Sequence, residues 1–231
     1  MTDIVETHLV QTESIKVQRT ARIAMLGGTA KDVRELWYVL HGYGGLATEF
    51  IGNFVSIDDG TRLIVAPEAL SRFYNESVET RVRNKNANAT VGASWMTKEQ
   101  RDTEIEDYIA YLDVMHRDMH SRAGGGVKIT VLGFSQGAAA ASRWVAAGGV
   151  NADRLVIWGS SIAPELDIAN PNTALRKPET IFVIGDKDVF ATPKIVEKEF
   201  ARLRAADFPF RSMSFTGGHR MDDDMLRLLA G

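Results

Sequence analysis

The sequence predicts an α/β fold, with a mostly parallel sheet of about eight strands flanked by helices. Three observations predict it. Short apolar runs recur along the chain with the continuous hydrophobicity of strands covered on both faces. Stretches with apolar residues three and four apart separate them, as amphipathic helices require. The composition is that of an ordinary globular chain, 45% hydrophobic and 25% charged over 231 residues, which is long enough to bury a sizeable core.

An N-terminal pair, Ile15–Arg19 and Arg22–Leu26, flanks a short turn, ends at Gly27-Gly28 and reads as a hairpin. The runs Leu36–Leu40, Arg62–Ala66, Lys128–Leu132, Arg154–Trp158, Thr180–Ile184 and Arg211–Phe215 read as buried parallel strands. The clearest helix runs from Lys98 to Arg122, where Ile105, Tyr108, Ile109, Leu112, Met115 and Met119 form one stripe. Thr97 and Gln100 have the spacing of a capping box at its start. Further helices are expected over Ala138–Ala147, Pro193–Arg204 and Met221–Ala230. No linker interrupts the pattern, so 1–231 reads as a single domain. The polar, Asn-rich stretch 71–96 is the break in regularity and is expected to be a functional loop near the site.

Composition excludes several classes. With 27 basic against 30 acidic residues the formal net charge is −3, which speaks against a strongly basic nucleic-acid binder. The absence of cysteine removes disulfides, thiolate metal sites and a cysteine nucleophile. No apolar run approaches the ~18–20 residues of a membrane span. The polar, acidic N-terminus lacks a signal-peptide core, so a cytoplasmic protein is expected. His116 and His120 are four apart on the long helix, but no glutamate completes a zinc motif. Asp222, Asp223 and Asp224 suit the start of a helix. Gly124-Gly125-Gly126 lies in a loop before a strand and lacks the downstream Lys-Ser/Thr of a phosphate loop. Neither a metal nor an organic cofactor is implied.

The strongest chemical signal is Gly133-Phe134-Ser135-Gln136-Gly137. It matches G-x-S-x-G directly after a strand and directly before a helix, the setting of a nucleophile elbow that holds the Ser135 hydroxyl above the strand ends. A serine hydroxyl needs a base. His219, in a glycine-rich loop between the last strand and the last helix, can accept its proton and return it to the leaving group. The acid that orients the histidine comes from Asp186 or Asp188, both after strand Thr180–Ile184, giving the chain order Ser, Asp, His of α/β-hydrolases. Asp188 is favoured because Val189-Phe190 can anchor its loop, whereas Asp186 suits a turn hydrogen bond. The oxyanion donors are expected to be the backbone N–H groups of Gln136 and of Tyr43, the latter in His41-Gly42-Tyr43-Gly44-Gly45. His41 reads as a structural histidine beneath that loop. Phe73, Tyr74, Trp95 and Met96 are candidates for an acyl groove, with core packing the alternative. The basic residues Arg81, Arg83, Lys85 and Lys98 read as a solvated loop, with attraction of an acidic substrate as the other reading.

Taken together, the segments His41–Gly45, Gly133–Gly137, Gly185-Asp186-Lys187-Asp188 and Gly217-Gly218-His219 resemble the phospholipase/carboxylesterase family of α/β-hydrolases, which includes the acyl-protein thioesterases. The resemblance covers the chain from about Glu35 onward and implies a compact hydrolase with little or no cap domain. It implies Asp188 as the triad acid and Tyr43 and Gln136 as the oxyanion donors. Gly45 stands where thioesterase members usually have aspartate, and Ile184-Gly185 where they usually have His-Gly. Ala66–Tyr74 and Gly92–Met96 look more like a bacterial esterase branch, which favours general carboxylesterase activity. The expectation is a serine esterase acting on a small-molecule ester, with thioesters or lysophospholipids as further substrates, as a monomer or homodimer. The alternatives are a non-catalytic binding module on the same fold and an acyltransferase.

Overall fold

The computed structural model describes residues 11–28, 32–85, 87 and 89–231. Its strands are β1 (Ile23–Gly27), β2 (Glu35–Leu40), β3 (Arg62–Pro67), β4 (Ser71–Tyr74), β5 (Val91–Ser94), β6 (Lys128–Phe134), β7 (Arg154–Trp158), β8 (Glu179–Gly185) and β9 (Arg211–Phe215). The helices are α1 (Ala47–Phe50), which continues as a 3₁₀ turn over Ile51–Ile57, α2 (Val78–Arg83), α3 (Arg101–Arg122), α4 (Gln136–Ala147), α5 (Pro193–Ala205) and α6 (Asp223–Ala230).

Seven strands form the main sheet in the order β1-β3-β2-β6-β7-β8-β9. All neighbours are parallel except the edge pair β1 and β3. The continuous apolar runs follow from this, because helices cover both faces. Leu36, Tyr38 and Leu40 of β2 lie on the sheet face that α3, α4 and α5 cover, in one core cluster with Leu112, Trp144 and Leu203. Trp37 and Val39, one step out of phase, face α1, its 3₁₀ extension and α6, among Phe54, Ile57 and Leu226. Parallel register brings the C-terminal ends of β2, β6, β7 and β8 to one edge, with Leu40 opposite Gly133, Phe134 opposite Trp158, and Trp158 opposite Val183. No helix among the described residues is long and apolar enough to cross a membrane.

Three expectations need correction. Ile15–Arg19 forms no strand and no hairpin with Arg22–Leu26; Ile15 and Val17 are exposed, and β1 pairs with β3. The intervening Thr20-Ala21 offers neither of the residues that adopt positive φ in a two-residue hairpin turn. The mostly parallel main sheet has seven strands, where about eight were expected. The stretch 71–96 is an antiparallel pair, β4 with β5, whose connection carries α2. Each strand is only four residues long, too short to show a period. The capping box also does not form. Gln100 takes φ +50° without a side-chain cap, and the Glu104 carboxylate instead accepts the Thr97 N–H at 2.5 Å and the Ser71 hydroxyl at 3.2 Å.

Glu68, just after β3, is a buried carboxylate that fastens the edge of the sheet. It accepts Arg22 Nε at 2.9 Å, Arg72 Nε at 2.6 Å and the Ala47 N–H at the start of α1 at 3.2 Å. Burial pushes its carboxyl up, but the hydrogen bonds from Arg22, Arg72 and Ala47 outweigh that and hold it below its ordinary value. Its stabilising contribution is therefore complete above the ordinary glutamate range and disappears as pH falls through the lowered folded value. Glu68→Gln is expected to lower unfolding free energy by about 2 kcal/mol at pH 7. Urea titrations of both proteins at pH 7 and in acid should show that gap closing as pH falls; a gap that widens in acid contradicts the assignment.

Candidate active site

Strand β6 ends at Phe134 and α4 starts at Gln136, leaving Ser135 alone to turn the chain. Its backbone takes φ +53° and ψ −121°, a strained conformation for a residue with a Cβ. The turn is fixed by its neighbours. Ser135 N–H donates to Trp158 O at 2.9 Å, and Ala138 N–H to Ser135 O at 3.0 Å. Gly137 lets α4 close onto β2, since a Cβ there would lie 2.3 Å from the Leu40 carbonyl oxygen. The Ser135 hydroxyl has no hydrogen-bond partner among the described residues; such bonds are often loose before a substrate arrives.

The histidine and the acid come from adjacent loops. His219 Nδ1 and Asp188 Oδ2 are 2.7 Å apart. The second oxygen, Oδ1, accepts the Phe190 N–H at 2.8 Å and the Ala191 N–H at 3.0 Å. Asp188 is almost fully buried, which pushes its carboxyl up; the hydrogen bonds from Ala191, His219 and Phe190 outweigh that and keep it ionised below the ordinary aspartate range. An ionised acceptor fixes the proton on Nδ1 and leaves Nε2 with its lone pair. The imidazole lies between Phe134, the residue before the elbow serine, at 4.7 Å between centroids, and Phe190 at 4.8 Å. Gly159, at the end of β7 with φ +61°, lies behind the pair, where a Cβ would come within 3.1 Å of both Asp188 Oδ2 and His219 Nδ1.

Asp186 has a different task from its neighbour. Its side chain accepts the Gly217 N–H at 2.9 Å across 31 residues, so it joins the acid loop to the histidine loop instead of closing a local turn. Lys187 N–H to Gly217 O at 2.8 Å and Asp186 N–H to Phe215 O at 3.0 Å complete the seam. Gly185 is needed for this approach, because a Cβ there would lie 2.4 Å from Gly217 O.

The loop after β2 flanks the elbow, and a Cβ on Gly42 would sit 3.2 Å from Ser135 Cβ. Among the described residues, the backbone N–H groups of Tyr43 and Gln136 have no acceptor. His41 is fully buried beneath this loop. Its Nε2 accepts the Ala69 N–H at 3.0 Å, so Nδ1 carries the proton and donates to Gly42 O at 2.7 Å. Burial lowers its pKa and keeps the ring neutral. Both ring nitrogens are occupied, so His41 braces the loop.

The four candidates for an acyl groove occupy different settings. Phe73 is half-buried and stacks on the exposed Tyr43 ring at 5.0 Å. Tyr74 is exposed under the Arg81 guanidinium. Trp95 is buried in the core, edge-on to Tyr108, with Nε1–H donated to His41 O at 2.8 Å. Met96 is half-buried, with Sδ 3.4 Å from Arg143 Nη1. Trp95 therefore corrects the groove expectation, since its indole is packed beneath the His41 loop. Sequence reasoning missed Gly159 and the inter-loop role of Asp186. A glycine at the end of a strand next to the elbow strand was the available signal for the first; the second, a contact across 31 residues, left none. A proton NMR spectrum should show a low-field imidazole N–H resonance that is lost in Asp188→Ala and kept in Asp186→Ala; the reverse pattern contradicts the assigned pairing.

Several known proteins share this architecture. An esterase called PE8 superposes with a TM-score of 0.67 at 20% identity, over 92% of this chain and 97% of that one. A carboxylesterase from Mesorhizobium loti does so with 0.66 at 18% identity, over 91% and 92%. Acyl-protein thioesterase 2 from Zea mays does so with 0.64 at 16% identity, over 92% and 100%. At these identities the likeness is one of fold, and it is the α/β-hydrolase fold that the sequence predicted. No curated protein matches the chain significantly. The family model described as Serine hydrolase (FSH1) matches residues 57–221, more than two-thirds of the chain and a span that includes the elbow, both aspartates and His219. The chain belongs to the FSH1 serine hydrolase family.

Proposed function

We propose that the protein is a serine esterase that hydrolyses carboxylic esters through an acyl-enzyme on Ser135. The observation that carries the reading is the 2.7 Å bond between His219 Nδ1 and the buried Asp188 carboxylate, beside a serine held at positive φ. In this reading His219 Nε2 takes the Ser135 proton as Oγ attacks the ester carbonyl. The oxyanion that forms is held by the backbone N–H groups of Tyr43 and Gln136. The tetrahedral intermediate collapses, the C–O bond to the alcohol breaks, and the alcohol leaves with the proton from His219. A water molecule, deprotonated by His219, then attacks the acyl-Ser135 ester; collapse releases the acid and returns the proton to Ser135. Asp188 holds the ring in one tautomer and stabilises the imidazolium. No metal or organic cofactor takes part in these steps.

The exposed side chains of Tyr43, Val189 and Phe190, with Phe73 stacked on Tyr43, offer an apolar rim for the acyl or alcohol group. Thioesters and lysophospholipids suit the same chemistry, and a cysteine-free chain fits a cytoplasmic setting. Hydrolysis of p-nitrophenyl esters from acetate to palmitate tests the reading. Wild type should turn over, Ser135→Ala should fall to background, and Asp188→Asn should lower kcat by about 10⁴-fold. Equal rates in wild type and Ser135→Ala remove Ser135 from the mechanism. Absence of turnover and of serine labelling in wild type favours a binding module. A new ester formed on adding an alcohol acceptor identifies acyl transfer.

A further inference from the structure

The two oxyanion donors belong to different segments of chain, and something must set the distance between them. Tyr43 N–H is carried by the loop after β2, and Gln136 N–H by the first turn of α4. The Gln136 side chain reaches away from the elbow to the exit of β5. Its Oε1 accepts the Trp95 N–H at 3.1 Å, and its Nε2 donates to Met96 O at 3.0 Å and to Ser94 Oγ at 3.0 Å. Ser94 Oγ in turn donates to Met96 O at 2.9 Å. Trp95 continues the chain, its indole Nε1–H donating to His41 O at 2.8 Å, with the indole and imidazole rings 5.3 Å apart. From His41 the contacts run into the oxyanion loop itself, through His41 Nδ1–H to Gly42 O at 2.7 Å and Gly45 N–H to Gly42 O at 3.1 Å. Gly44 N–H donates to Ala93 O at 2.9 Å, a second tie between this loop and β5.

The geometry points to Gln136 as a double positioning residue: its backbone supplies one oxyanion donor, and its carboxamide, through Trp95 and His41, fixes the loop that supplies the other. This rests on the Ser135 reading above. Every polar atom of the carboxamide is engaged away from the substrate side, so the side chain touches no reacting atom. Its contacts are short-range and largely shielded from water, where a hydrogen bond is stiff and its loss is felt at the next link. Donors preorganised to within a few tenths of an ångström are what oxyanion stabilisation requires.

Two substitutions test the strut without deleting either donor. Gln136→Met keeps the backbone N–H and the side-chain length and removes the carboxamide. Trp95→Phe removes the indole N–H that holds His41 O. Each is expected to lower kcat for p-nitrophenyl butyrate by about 10- to 100-fold with KM within about twofold. The pH profile should keep its shape, because the His219–Asp188 pair is untouched. The inhibition constant of a trifluoromethyl ketone, which mimics the tetrahedral adduct, should rise by the factor by which kcat/KM falls. The double variant should fall no further than the worse single one, since both act through one strut. Folded variants with unchanged kcat and unchanged ketone affinity overturn the inference and leave the Ser135 reading standing; so does a lowered Tm with kcat intact. If Gln136→Met fails to fold, Trp95→Phe decides by the same numbers. Wild type that neither turns over esters nor forms a fluorophosphonate adduct on Ser135 overturns both readings together.

Discussion

The structure depends on one turn that the chain adopts at a cost. A residue with a Cβ held at positive φ carries about 1–3 kcal/mol of strain, and such a turn survives only where its surroundings leave no alternative. Ser135 is surrounded in that way. Its N–H is taken by Trp158 of the next strand, its carbonyl by Ala138 of the following helix, and the strand before it lies in the middle of a parallel sheet. Helix α4, which follows, is rich in alanine and buried on nearly every side, so it can lie close against the sheet. Gly137 permits the closest of these approaches, directly under the carbonyls of Leu40 and His41. The same contact that makes the turn possible therefore brings the Tyr43 loop alongside the serine.

A second constraint acts two strands away. The loops that carry Asp188 and His219 are stitched together by two backbone bonds and by the Asp186 side chain, independently of the bond between Asp188 and His219. Asp186 and Lys187 make that seam with Gly217, and Asp188 is left to bond His219. Two carboxylates two residues apart thus divide the work, one holding the loops and the other holding the ring. The environment makes the difference: Asp188 is buried and its oxygens are filled by two backbone N–H groups and an imidazole, whereas Asp186 faces solvent on one side.

Legibility in the sequence followed the range of the interactions. The parallel strands were readable because burial on both faces leaves an uninterrupted apolar run, as in Leu36–Leu40 and Ile181–Val183. The elbow was readable because its glycines and its serine are neighbours in the chain. Elements stabilised from a distance were not. The β4–β5 pair forms from two four-residue segments sixteen residues apart and owes its position to the bond that Gly44 donates to Ala93 O and to the Gln136 carboxamide, and neither Gly44 nor Gln136 is local. Ile15 and Val17 carry the alternation of a strand but lack a turn to fold them back. Trp95 is an aromatic residue as suited to a groove as to a core, and its burial against Tyr108 and its bond to His41 O show that it faces inward. The preference for Asp188 over Asp186 rested on the apolar pair that follows it; the structure leaves Val189 and Phe190 exposed, with Phe190 against the imidazole.

In the proposed mechanism the strained serine is activated by the His219–Asp188 pair. Covalent labelling with a fluorophosphonate, followed by intact mass and peptide mapping of wild type and of His219→Ala, tests it most directly. A single adduct on Ser135 is expected in the wild type, with labelling of His219→Ala slowed by at least about 10³-fold. An adduct on another residue, or equal labelling rates in the two proteins, would contradict it.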